Sequence, residues 1–122
     1  MMPFRSLVPY VHVVSVPASI AFYEKLGFTV GNTYTFPGAN ELTWAWLRCG
    51  NAQLMIARSS GPIVPEEQAV FFYLYVEDVA AKHAELAANG VTVGAITYPF
   101  YCPRGEFRVV DPDGYGLMIA HT

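Results

Sequence analysis

Apolar residues along this chain switch between two spacings, and the order of the spacings runs twice. From Val8 to Val14 large side chains occupy every second position, the period of a strand with two unlike faces. Behind Pro17, which fits an early helical position, Ile20, Tyr23 and Leu26 recur at helical spacing until Gly27 stops the helix. Three strands are predicted next, at about Phe28 to Tyr34, Leu42 to Arg48 and Ala52 to Ala57. The grammar then restarts. A strand at Phe71 to Val76 leads to a helix with Asp78 as N-cap, a stripe of Val79, His83 and Leu86, and Gly90 at its end. The strands predicted after it are Val91 to Thr97, Glu106 to Val110 and Tyr115 to His121.

Sliding the chain along itself by 63 positions superposes these two runs. The tetrapeptide LMIA at Leu54 to Ala57 falls on LMIA at Leu117 to Ala120, and pairing residues 8–59 with 71–122 gives 13 identities in 52 positions. Unrelated chains of average composition would give roughly three. The expected fold is therefore α+β, two tandem βαβββ modules in a single domain spanning residues 1–122. Module one covers about residues 5–58, a linker about 59–69, and module two about 70–122; the linker core SSGPIVPEEQ, with glycine, two prolines and two glutamates, reads as surface. A module of this size buries little apolar surface alone, so the two are expected to share a core and to gain from dimerisation.

Composition narrows the partners. The net charge is −3, with seven Lys and Arg scattered singly, so no basic stripe exists for nucleic acid. Apolar residues make up 53%, which leaves apolar surface for a ligand or for the second copy of a homodimer. The stretch LVPYVHVVSVPASIAF carries His12 and two prolines and is too short and interrupted for a membrane span or a signal. Cys49 and Cys102 lie far apart without motif spacing, which suits free thiols and a cytoplasmic location. DPDG at Asp111 to Gly114 reads as a tight turn, lacking the pattern of a calcium loop.

Paired βαβββ modules with SIAFYEKLGF in the first and VVDPDGYGLMI closing the second resemble the vicinal oxygen chelate superfamily of glyoxalase I, ring-cleaving dioxygenases, fosfomycin-resistance enzymes and bleomycin-resistance proteins. The resemblance implies eight strands curled into a cup, helices outside it, and a ligand in the concavity. In metal-dependent members the first and last strand of each module supply ligands, and those slots fall on Val8, Met55, Phe71 and Met118. None is a usual donor for a divalent metal, so no metal or other cofactor is expected unless non-standard ligands hold it. The bleomycin-resistance branch is similar in this respect: it keeps the fold, has lost the slots, and binds a drug without transforming it.

If those four residues face the cup, alternation places Tyr10, His12, Gln53, Tyr73 and Tyr75 there too, while Val11, Leu54, Ile56, Phe72, Leu74, Leu117 and Ile119 face the helices. Trp44, Trp46 and Arg48 share one face of their strand, which forms either a stacking wall for the pocket, the preferred choice, or a dimer contact. The proline-bearing loops YTFPGANELT and YPFYCPRGEF are natural lips, with Phe100, Tyr101, Arg104 and Arg108 as further contacts. His12 is the candidate acid, base or lone metal donor, although a hydrogen-bonded interior histidine beside tyrosines is the preferred reading; His83 reads as a half-buried helix residue and His121 as outward-facing. The expectation is a small-molecule binding protein with an aromatic or amphipathic ligand. Its alternatives are a lyase, isomerase or dioxygenase using His12, Glu106 or His121 as displaced ligands or bases, and a non-catalytic scaffold subunit.

Overall fold

The computed structural model describes all 122 residues, in two compact units, Met1–Ile63 and Val64–Thr122. The first unit runs β1 (Tyr10–Val13), α1 (Val16–Lys25), β2 (Thr29–Tyr34), β3 (Trp44–Cys49) and β4 (Ala52–Arg58). Its sheet has the order β1-β4-β3-β2, with β1 parallel to β4 and the other pairs antiparallel. Ser15, extended and just before the helix, accepts a hydrogen bond from the amide of Ala18 at 3.2 Å, satisfying one of the amides that α1 leaves unpaired. The period-2 pattern is then realised: Val11, Val13, Ala45, Leu47, Leu54 and Ile56 are buried with Val16 and Tyr23 of α1.

The second unit opens with a 3-10 turn (Pro65–Glu67) and continues with β5 (Phe71–Val76), α2 (Val79–Ala88), β6 (Glu106–Val110) and β7 (Gly116–His121). Its sheet order is β5-β7-β6, β5 and β7 being parallel. Asp78 caps α2 by accepting from the Ala81 amide at 3.0 Å. Phe107, Val109, Leu117 and Ile119 are buried on the α2 side with Val79 and Leu86. The turn expected at DPDG is present: the Asp111 Oδ1 accepts from the amides of Asp113 and Tyr115, both at 2.9 Å, and Gly114 takes φ +87°. Pro65 lies directly against Gly114, where a Cβ would sit 2.5 Å from the proline carbonyl oxygen, and Gln68 donates to the Asp113 carbonyl at 3.2 Å. Residues 65–68 of the stretch expected as linker are thus docked on module two.

Seven strands form, not eight. Of the stretch Val91 to Thr97, only Thr97 bridges to Glu106. With Thr97 opposite Glu106, an even ladder would bring Ala95 to Arg108, yet it is the Gly94 amide that donates to the Arg108 carbonyl, at 2.9 Å. One extra residue therefore interrupts the pairing. The equivalent stretch in module one slips the same way, between Val30 and Thr33, but keeps enough pairs on either side to count as β2. Glycine marks both slips. A Cβ on Gly31 would lie 3.3 Å from the Trp46 carbonyl oxygen, and one on Gly94 3.1 Å from that of Arg108. Cys49 and Cys102 are unpaired thiols, and no helix is long and apolar enough to cross a membrane.

Candidate functional site

In module one the register assigns the faces. Tyr10 and Trp46 both stand opposite Met55, His12 and Trp44 opposite Ala57, and Arg48 opposite Gln53. Because directly paired residues share a face, Tyr10, His12, Trp44, Trp46, Arg48, Gln53 and Met55 all lie on the side away from α1. The two tryptophans and Arg48 therefore share the face of Tyr10 and Met55. Trp44 and Trp46 meet edge to face at 6.5 Å, and the Trp46 indole N–H donates to the Gln53 Oε1 at 3.1 Å. Where β2 slips, Gly31, Asn32, Trp46 and Arg48 line a groove of about 360 Å³. His12 is exposed, edge-on to Tyr10 at 5.6 Å, and is not an interior residue. Val8 precedes β1 and is half-buried.

In module two the same logic gives three rows across the sheet. Phe71, Gly116 and Val110 form the first, Tyr73, Met118 and Arg108 the second, and Tyr75, Ala120 and Glu106 the third. Phe71 lies on Gly116, where any Cβ would meet its ring at 2.4 Å, and the Arg108 guanidinium stands 5.0 Å from the Phe71 centroid. The Tyr73 and Tyr75 rings are 6.0 Å apart and tilted by 31°. Phe71, Tyr73 and Tyr75 are exposed. Phe100 and Tyr101 sit on a turn between Thr97 and β6, and Phe100 is 95% exposed.

Glu106 differs from its neighbours on this face. It is only 3% exposed, its Oε2 accepts from the Tyr101 hydroxyl at 3.0 Å, and its Oε1 has no hydrogen-bond partner. A buried acceptor left unmet costs about 1–3 kcal/mol, so a lone pair in this position calls for an explanation. The same hydrogen bond acts on the phenol: Glu106 pushes Tyr101 up to about 12 from its ordinary 10, with desolvation and the Tyr73 hydroxyl adding to the effect. Sequence reasoning gave Glu106 only the part of a displaced ligand or base. Its place beside Arg108 at strand spacing was the signal that it shares the face of Met118.

The other candidates disperse. His83 is a half-buried helix residue whose Nε2 is 2.9 Å from the Gly94 carbonyl, with its ring edge-on to Phe107 at 4.9 Å. His121 follows Ile119 in alternation and so lies on the α2 side, where it lines a pocket of about 330 Å³ with Glu77, Asp78 and Arg104. Arg104, expected as a lip of the aromatic site, belongs to that separate pocket. Nowhere do three His, Cys, Asp or Glu side chains gather as a metal would require. Val8, Met55, Phe71 and Met118 offer two hydrocarbons and two soft thioethers, and this donor set does not fit a divalent ion.

Against known families, residues 9–119 match the profile of the Glyoxalase/Bleomycin resistance protein/Dioxygenase superfamily. The chain belongs to this superfamily. Its fold is also that of solved members. One is a bleomycin resistance determinant encoded on the transposon Tn5 (20% identity, 98% of each chain, TM-score 0.78). Another is the bleomycin-binding protein of bleomycin-producing Streptomyces verticillus in complex with copper(II)-bleomycin (23% identity, 100% of this chain and 99% of that one, TM-score 0.74). A third is a glyoxalase family protein from Enterococcus faecalis (22% identity, 97% and 96%, TM-score 0.74). A search of curated proteins found no significant match.

Proposed function

We propose that this superfamily member binds a small aromatic or amphipathic molecule without a metal, as a homodimer in the cytoplasm, and acts by sequestering its ligand. One observation carries the reading: the slots that hold metal in catalytic relatives are Val8, Met55, Phe71 and Met118, while exposed aromatic rings fill the same faces. On module one, Tyr10, Trp44 and Trp46 supply stacking surface, His12 a polar anchor and Met55 adaptable floor; on module two, Tyr73, Tyr75, Phe100 and Tyr101 supply the rings, Arg108 the anchor and Met118 the floor. The exposure of Tyr10, Tyr73, Tyr75, Phe100 and Tyr101 speaks against a scaffold whose rings serve only as filling. The presence of bleomycin-binding proteins among structures of this fold supports a drug-like ligand. A lyase or dioxygenase that used Glu106 and His121 together as displaced ligands is disfavoured, because the two lie on opposite faces of one sheet.

The test is a thermal-shift screen of the purified protein against divalent metals and planar aromatic compounds. A ligand at 100 times its dissociation constant raises stability by about 2.7 kcal/mol. The expected result is a shift with one organic class and with no metal. Retention of a stoichiometric divalent ion through exhaustive dialysis overturns the reading.

A further inference from the structure

The unmet oxygen of Glu106 points to the charge of the ligand. We propose that Glu106 receives a cationic N–H group, an amidinium or ammonium carried on an aromatic frame, and that Tyr101 covers the carboxylate until such a group displaces it. This rests on the binding function proposed above and names its ligand class.

The argument begins with hydrogen-bond inventory. An ionised carboxylate accepts at two oxygens and donates from neither, so Tyr101 satisfies half of what Glu106 presents. The missing partner must be a donor, and a charged N–H donor makes the stronger and shorter bond to a carboxylate. Within module two no side chain fills that part. Arg108, two residues along the same face, has its guanidinium over the ring of Phe71, in the row farthest from Glu106. The rest of the Glu106 row suits a flat cation: Tyr75 at one end, small Ala120 between, and Tyr73 tilted beside Tyr75. Tyrosine faces attract cations and stack on aromatic frames.

Glu106 is 97% buried by its 3% exposure, yet the group that bonds it is 60% exposed and sits on a turn. A side-chain rotation of Tyr101 is the kind of change that binding commonly brings. An amidinium presents parallel N–H groups that fork onto both carboxylate oxygens, so in taking Oε1 it also claims the Oε2 that Tyr101 holds, and the two are rivals for one carboxylate. This gives two variants with effects of opposite sign. Glu106→Gln removes the charge that the ligand seeks, whereas Tyr101→Phe keeps the ring and removes the rival donor. Were the pair merely structural, both variants would disturb binding in the same direction.

The probes are 4′,6-diamidino-2-phenylindole, a fluorescent aromatic diamidine, and uncharged 2-phenylindole, titrated against the full chain at neutral pH. For the unmodified protein the diamidine should bind at least tenfold more tightly. Glu106→Gln should weaken it by about tenfold to a hundredfold while leaving 2-phenylindole unchanged, and Tyr101→Phe should tighten it severalfold. Far-UV circular dichroism checks that Glu106→Gln folds; if it does not, the sign of the Tyr101→Phe effect decides alone. Equal binding of the two probes, a diamidine preference that survives Glu106→Gln, or weaker diamidine binding by Tyr101→Phe overturns the inference while the binding function stands. Failure of both probes to bind overturns both.

Discussion

Alanine at Gly114 tests whether the stretch before β5 is truly docked on the DPDG turn. Gly114 has φ +87°, and an L side chain in that region costs about 1–2 kcal/mol. Its Cβ would also lie 2.5 Å from the Pro65 carbonyl oxygen and 2.6 Å from the Pro65 Cα, so backbone must move. Overpacking of this kind costs a further ~1–3 kcal/mol. Alanine's smaller unfolded-state entropy returns about 0.4–1 kcal/mol. The net loss expected for Gly114→Ala is about 1–5 kcal/mol, centred near 3. Gly50 supplies the control, because it too has positive φ, at +57°, but nothing lies within 4 Å of its Cβ. Gly50→Ala should lose about 0–1.6 kcal/mol by the same accounting, without the overpacking contribution. Urea denaturation followed by far-UV circular dichroism measures both, and the midpoints should differ at equal slope. In thermal melts each kcal/mol corresponds to roughly 3–5 °C for a chain of this size. Equal losses in the two variants would refute the Pro65 contact.

Two other predictions concern the sheet of module two. In spectrophotometric titration at 295 nm, one phenol should ionise near 12, be absent in Tyr101→Phe, and return toward 10 in Glu106→Gln. Since the folded-state value is raised, what the Tyr101 hydrogen bond adds to stability is fully present below pH 10 and is lost as pH climbs through about 12. Phe107→Ala removes a ring that is 1% exposed and in edge contact with His83, and should cost about 3–5 kcal/mol in the same urea assay. A loss under 1 kcal/mol would mean that α2 is not held to its sheet through this ring.

Strand parity carried the sequence reading furthest. Because each sheet buries one face under a helix, alternation in β1, β4, β5 and β7 was enough to sort Tyr10, Met55, Tyr73 and Met118 from Val11, Ile56, Leu74 and Ile119. The 63-residue repeat added the element order. Two things escaped it. The slip at Gly94 breaks a ladder by a single residue, and period-2 hydrophobicity in Val91 to Thr97 is indifferent to whether its partner keeps step. The Tyr101 contact with Glu106 depends on how a turn folds back over a strand, and turn composition fixes only the turn. Trp44 and Trp46 stayed ambiguous for another reason: β3 is apolar on both faces, with Trp44 and Trp46 on one and Ala45 and Leu47 on the other, so only its pairing with β4 could orient it.

The paired glycine slips have a consequence for how copies of the chain meet. β2 is the outer strand of its sheet, and the Gly94 stretch lies outside β6 in the other. An open edge is a template for intermolecular strand addition, the first step of many aggregates, and a break in register spoils that template. Both margins are thus blunted by a residue with no side chain rather than by charge. The opposite margins, β1 and β5, keep an even register with their neighbours. Within each sheet, the regular template for strand addition is therefore kept by the strand that opens the module and lost at the margin that follows its helix.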